Sequence, residues 1–196
     1  YMRGWACFKQ ARYEQGLQDF FMLLDRKLAG RDSGESLEQV SGLTRGDREL
    51  VDDTFRVLSI SLTALDGPES IPRYMGDPRR RDYEFRVYQQ LGDLYFKQQR
   101  IKDAADTYNA FARRYPTHPQ APNVQVRVID AYQQAGFATL AVETKKEFVL
   151  RYGVNSDFRR ANTTAAYERV LPHVRKHLEE LAHFGLREAA DVDQVM

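Results

Sequence analysis

The 196-residue chain has one cysteine, one tryptophan and no long apolar run, and its 29 Lys and Arg nearly balance its 28 Asp and Glu. Each shortage removes a class of protein. Cys7 alone makes neither an internal disulfide nor a cysteine-rich metal site. The longest compact apolar stretch, Phe20-Phe21-Met22-Leu23-Leu24, falls far short of the roughly 18 to 20 residues that cross a bilayer, so no membrane span is expected. A net charge of +1 lacks the electrostatic footprint of a dedicated nucleic-acid binder. Twelve Gly and seven Pro are too few for a collagen-like or disordered chain, and a hydrophobic share of 42% is enough for a sizeable core. The chain starts on Tyr1, with no charged and apolar leader after it, and reads as a piece of something longer.

What the sequence does contain is repetition. Residues 4–20 read GWACFKQARYEQGLQDF and residues 92–108 read GDLYFKQQRIKDAADTY, a gapless match at an offset of 88 residues. Gly4 pairs with Gly92, Phe8 with Phe96, Arg12 with Arg100, Gly16 with Ala104 and Phe20 with Tyr108. A weaker third copy lies about 37 residues further on, over 126–152, with Tyr132, Ala141, Phe148 and Tyr152 opposite Tyr95, Ala104, Phe111 and Tyr115. There Ile129 replaces the glycine.

Each copy reads as two antiparallel helices. Tyr88, Leu91, Tyr95 and Phe96 recur at three and four residues and so share one helix face. The polar stretch 97–102 forms a corner. Ala104, Tyr108, Phe111 and Tyr115 then repeat the pattern until Pro116, which cannot continue a helical hydrogen-bond ladder. Gly92 and Ala104 are small enough for the two backbones to approach closely.

These spacings resemble the tetratricopeptide (TPR) pattern of aromatic, Leu-Gly, Tyr, Ala, aromatic and Pro, here Tyr88-x-x-Leu91-Gly92-x-x-Tyr95, Ala104-x-x-x-Tyr108 and Pro116. Phe111 departs from it, standing where the usual residue is small. With the run Tyr115-Pro116-Thr117-His118-Pro119-Gln120-Ala121-Pro122, that departure is similar to the bacterial cell-envelope TPR subgroup of outer-membrane assembly lipoproteins and the Tol-associated periplasmic coordinator. The resemblance covers 1–29 and 83–152. It implies an all-α, right-handed superhelix of antiparallel helix pairs, about 8 to 10 helices in all.

The organisation expected is a TPR-like repeat over 1–29 with its first helix truncated, then a loop and degenerate helical pair over 30–82. A repeat over 83–118, a weaker one over 119–153 and a helical pair or cap over 154–196 follow. Within the second segment, Asp47 to Leu65 is an amphipathic helix, and Glu69 to Tyr74 a short one. Leu37 to Val40 forms a helical turn. In the last segment Gly153 caps a helix, Ser156 or Asp157 opens the next, and Pro172 opens a final helix running to about residue 190.

Candidate chemistry is sparse. His173, His177 and Glu180 lie at i, i+4 and i+7 with His183 beyond, but the zincin glutamate beside the first histidine is missing, so surface histidines are expected. Cys7 occupies the position of Tyr95 on a packed helix face and reads as buried and structural. No Gly-x-Ser-x-Gly elbow and no phosphate-binding loop occurs. The adjacent pairs Asp52-Asp53 and Glu179-Glu180 point apart on a helix and read as solvated surface. Arg79-Arg80-Arg81, flanked by Asp77 and Asp82, reads as a solvated loop or as a grip on an acidic partner.

The resemblance implies a concave groove lined by the first helix of each pair. Residue by residue, that gives Arg86, Gln89, Asp93, Phe96 and Lys97 from the second copy, and Tyr1, Trp5, Phe8 and Lys9 from the first. The third copy adds Asn123, Arg127, Asp130, Gln133 and Gln134. Phe8-Lys9 and Phe96-Lys97 suit an extended peptide, the ring giving apolar area and the ammonium meeting a carboxylate. The other reading of Phe8 and Phe96 is packing between helices. The implied function is a non-catalytic scaffold for a protein or peptide partner, without cofactor, in the periplasm or at the outer membrane. The alternatives are a regulatory or substrate-recruiting domain of a larger enzyme, and a cytoplasmic location.

Overall fold

The computed structural model describes residues 1–31, 37–77 and 80–195. Among them are helices and turns and no strand. The helices are α1 (Met2–Lys9), α2 (Tyr13–Leu28), α3 (Arg45–Thr63), α4 (Ile71–Tyr74), α5 (Arg81–Lys97), α6 (Ile101–Arg114), α7 (Ala121–Gln134), α8 (Ala138–Tyr152), α9 (Asp157–Ala161) and α10 (Thr164–Val195). No helix among the described residues is long and apolar enough to cross a membrane. The chain divides into two compact units, Tyr1–Ala110 and Phe111–Met196, with the division inside α6.

Three corners between paired helices share one backbone geometry. Arg12 N donates to Cys7 O, Arg100 N to Tyr95 O and Phe137 N to Tyr132 O, each at 2.9 Å. The preceding residue donates to a carbonyl three positions back: Ala11 to Phe8, Gln99 to Phe96 and Gly136 to Gln133. That same residue lies in the left-handed region, at φ 56° for Ala11, 62° for Gln99 and 77° for Gly136. This pair of bonds around a left-handed residue is a Schellman motif, which satisfies the last carbonyls of one helix. The next helix then starts at once, with Gly16 N on Arg12 O, Ala104 N on Arg100 O and Ala141 N on Phe137 O. The polar corner read over 97–102 is thus one structural unit that recurs after α1 and α7.

Side chains repeat as well. A Cβ on Gly4 would stand 2.9 Å from the Phe20 ring, and one on Gly92 would stand 2.3 Å from the Tyr108 ring. Each glycine therefore lets an aromatic ring from the second helix lie against the backbone of the first. In the third copy both partners change together: Ile129 is fully buried where the glycine stood, and Lys145 replaces the ring. A branched side chain fits where no ring has to be met.

Within the first unit, α1 packs on α2, α2 on α3 and α3 on α5. Thr44 and Asp47 cap α3 reciprocally, Asp47 N donating to Thr44 Oγ1 at 3.1 Å and Thr44 N to Asp47 Oδ2 at 3.3 Å. Val51, Phe55, Leu58 and Leu62, spaced at four, three and four residues, are completely buried along one side of α3. The short helix read over Glu69 to Tyr74 is a 3₁₀ turn, Gly67–Ser70, running into α4. A second 3₁₀ turn covers Leu37–Gln39.

In the second unit α7 pairs with α8, and α8 packs on α10. Ser156 caps α9 as expected, accepting from Arg159 N at 3.1 Å. The final helix differs from the sequence reading. Pro172 does not open it but lies inside α10, which starts at Thr164. The break falls earlier, where Asn162 Nδ2 donates to Phe158 O at 3.0 Å and Ala166 N donates to Thr163 Oγ1 at 3.2 Å. An interior proline costs a helix about 3 kcal/mol. Burial of Tyr167, Val170, Val174 and His177 on the opposite side of the same helix offsets that loss.

Candidate functional site

Three helices of the first unit meet along one exposed side. Tyr1 and α1 touch α3 through two contacts: the Tyr1 hydroxyl donates to Asp53, and the Arg56 guanidinium lies 5.9 Å from the centre of the Trp5 ring. Arg56 also donates to Asp53 through Nε at 3.0 Å. Burial works to raise the Asp53 carboxyl, but the bonds from Tyr1 and Arg56 outweigh it and hold the group below its ordinary range.

Along α1 the aromatic rings form an edge-to-face row. Tyr1 and Trp5 are 6.3 Å apart, Trp5 and Phe8 5.6 Å, and Phe8 and Tyr13 5.9 Å. Trp5 and Phe8 are both half-buried. Each therefore packs on its neighbours and still leaves ring surface open, so the two readings of Phe8 are compatible. Phe96 is half-buried in the same way, and Lys9 and Lys97 are exposed.

Between α3 and α5 runs a cleft of about 280 Å³, lined by Asp52, Arg56 and Ser59 from α3 and by Gln90, Asp93, Leu94 and Lys97 from α5. The helical spacing produces it: 52, 56 and 59 share one side of α3, and 90, 93, 94 and 97 share one side of α5. Asp93 accepts from the Tyr108 hydroxyl at 2.5 Å, which fixes it against the helix behind. Asp52 has no such support. Desolvation raises its carboxyl above the ordinary value, and only the through-space pull of Arg86 works against that.

Ser59 is the unusual member. Buried hydroxyls elsewhere on α3 return to their own helix, Thr54 to Leu50 O at 2.6 Å and Ser61 to Val57 O at 2.9 Å. Ser59 is equally buried, and its Oγ has no hydrogen-bond partner among the described residues. It lies in the lining of the cleft with its bonding capacity unspent.

Of the residues picked out from sequence, Asp93 and Lys97 line this cleft, and Trp5 joins it through Arg56. Gln89 and Arg86 sit half-buried on α5, with Arg86 stacked 4.8 Å from the Phe85 ring. Arg127, Asp130 and Gln134 are exposed on α7 in the second unit. Sequence reasoning missed Asp52, Arg56 and Ser59. They follow Val51, Phe55 and Leu58 by one residue each, on the side of α3 about a quarter-turn from its fully buried row, and nothing within α3 marks that side as lining a cleft.

Other readings change too. Asp52-Asp53 is not plain solvated surface, since one residue lines the cleft and the other anchors Tyr1 and Arg56. Glu180 bonds Lys145 Nζ at 2.8 Å and faces His177 Nδ1 at 3.3 Å. His177 is a core residue, 2% exposed, with its ring edge-on to Phe148 at 5.2 Å. Cys7 is buried as expected, with Arg12 Nη2 3.3 Å from its sulfur. In the arginine cluster, Arg79 lies outside the described residues. Arg80 is not a solvated loop residue: it pairs with Asp25 at 3.0 Å and stacks 5.0 Å from the Phe21 ring.

A comparison with protein families, curated proteins and solved structures finds no match.

Proposed function

We propose that the chain is a TPR-type scaffold that binds an extended segment of another protein along the α1–α3–α5 face and catalyses nothing. The observation that carries this reading is the conjunction on one face of an open aromatic row, Trp5 and Phe8, with a polar cleft holding Asp52, Ser59 and Gln90. Aromatic rings give large contact area at low conformational cost, and the cleft supplies directional bonds. The thrice-repeated Schellman corner supports the repeat assignment, because repeat units that bury faces only against neighbours leave a long surface for recognition.

The resemblance to envelope TPR proteins supports a periplasmic or outer-membrane-associated site of action. Cell fractionation tests that location, and recovery in the cytoplasm would reject it. Affinity capture from the native host tests the scaffold, using wild type beside Arg56→Glu and Lys97→Glu. Loss of the same partner from both variants is the expected result. Equal recovery from all three would remove this face as the binding surface.

A further inference from the structure

We propose that the α3–α5 cleft holds the main chain of the bound peptide and not one of its side chains. Asp52 and Ser59 accept from backbone N–H groups, while Lys97 and the Gln90 amide donate to backbone carbonyls. This rests on the scaffold reading of the same face and assigns its chemistry: a grip that is indifferent to sequence, with selectivity left to the Trp5 and Phe8 rings.

The lining is balanced in charge. It holds two carboxylates, Asp52 and Asp93, and two cations, Arg56 and Lys97. A charged guest of either sign therefore meets a like charge as well as an opposite one, and still has to give up its own hydration. Two of the four are already engaged, Asp93 by the Tyr108 hydroxyl and Arg56 by Asp53 and the Trp5 ring.

The remaining groups are balanced in hydrogen bonding. Asp52 only accepts, Lys97 only donates, and Ser59 and Gln90 do both. Ser59 is 1% exposed, and its Oγ has no partner among the described residues. An apolar guest would leave that hydroxyl unpaired and desolvate Asp52 further, at a cost in free energy. A neutral guest that both donates and accepts recovers it. Each peptide unit carries one N–H donor and one C=O acceptor, which is the complement of this lining.

Length agrees with this. From 52 to 59 on α3, and from 90 to 97 on α5, each helix gives the cleft about 10 Å of wall. An extended chain advances about 3.3 Å per residue, so about three residues lie along it, presenting donors and acceptors in turn.

The test is an NMR titration of the ¹⁵N-labelled protein with acetyl-Phe-Ser-Ala-Ser-Phe-amide and with the same peptide carrying Glu or Lys in place of Ala. A fourth peptide is the parent N-methylated at its three central residues. The parent, Glu and Lys peptides are expected to shift the amides of Asp52, Ser59, Gln90 and Lys97 saturably and with similar affinity. The N-methylated peptide, stripped of its central N–H donors, is expected to bind about fivefold or more weakly. Asp52→Asn is expected to weaken the Glu and Lys peptides alike, whereas a cleft that read charge would lose the Lys peptide and gain the Glu peptide. Asp52 is exposed, so its replacement leaves the fold in place, and unchanged circular dichroism checks this. Equal binding of the N-methylated peptide, opposite responses of the Glu and Lys peptides, or no saturable shift at the cleft would overturn the assignment. The scaffold reading fails separately: saturable shifts at Trp5 and Phe8 with the cleft amides unmoved would refute the main-chain grip and leave the scaffold standing.

Discussion

The Tyr108 ring lies against the backbone at Gly92, so close that a Cβ there would come within 2.3 Å of it. The ring is buried, and its hydroxyl is tied to Asp93, so it cannot swing aside. Gly92→Ala is expected to destabilise the first unit by about 1 to 3 kcal/mol, the range for overpacking, although alanine is the better helix former. Gly4→Ala meets the Phe20 ring at 2.9 Å and should cost less. Gly46→Ala, with open space around it on α3, should stabilise by up to about 1 kcal/mol. Thermal unfolding of the three variants checks both the order and the change of sign.

The corner geometry makes a second, opposite pair of predictions. Ala11 and Gln99 hold left-handed backbones that glycine adopts without strain. Gln99→Gly should raise stability by about 1 kcal/mol, and Ala11→Gly likewise. Gly136→Ala should lower it by a similar amount, since φ there is 77°. Denaturant midpoints measure all three, and the same sign for Gln99→Gly and Gly136→Ala would show that the corners are not equivalent.

Arg80 and Asp25 join the start of α5 to the end of α2, with Tyr83 donating to the same carboxylate. Both ionised side chains are largely buried, at 18% and 8% exposure. Asp25→Ala strands a guanidinium and should cost about 3 kcal/mol, whereas Tyr83→Phe, which removes one hydrogen bond, should cost about 1 kcal/mol. A double-mutant cycle between Arg80→Met and Asp25→Ala should return a coupling well above that of an exposed pair. A coupling near zero would mean the pair is open to water.

His177 predicts a pH dependence with a definite sign. Burial depresses its imidazole below the ordinary value, more than the bond to Glu180 and that residue's charge raise it, with Lys145 and Lys176 also pushing it down. The folded state therefore takes up the proton less readily than the unfolded state does. The stability this confers is complete above the unfolded value of about 6.5 and is lost as pH falls through the depressed folded value. His118, depressed by burial alone, acts in the same direction. Below about pH 6.5 the melting temperature should drop in wild type and drop less in His177→Gln. Parallel curves for the two proteins would refute the assignment.

The part of this architecture most legible in the sequence is its repetition. The match of Gly4 and Phe20 to Gly92 and Tyr108 was legible as a gapless repeat, but the glycine was read as letting two backbones approach, and the structure shows that what it makes room for is the ring of the second helix. Pro172 misled because a local rule was outweighed by the row Tyr167, Val170, Val174 and His177, whose burial holds the helix through the proline. That same row placed His177 inside, though a histidine pair four apart looks alike on either side of a helix. Asp52, Arg56 and Ser59 were missed because α3 carries no repeat signature. Their significance comes from α5 lying alongside, which no spacing within α3 reveals.

We propose that the α1–α3–α5 face holds an extended peptide. Selection of a random peptide display library on the wild-type protein tests it most directly, with each enriched peptide then measured against Asp52→Asn and Lys97→Glu. Enriched peptides are expected to carry apolar or aromatic residues that meet the Trp5 and Phe8 rings, and to lose most of their binding to both variants. Enriched peptides that bind wild type and both variants equally would contradict it.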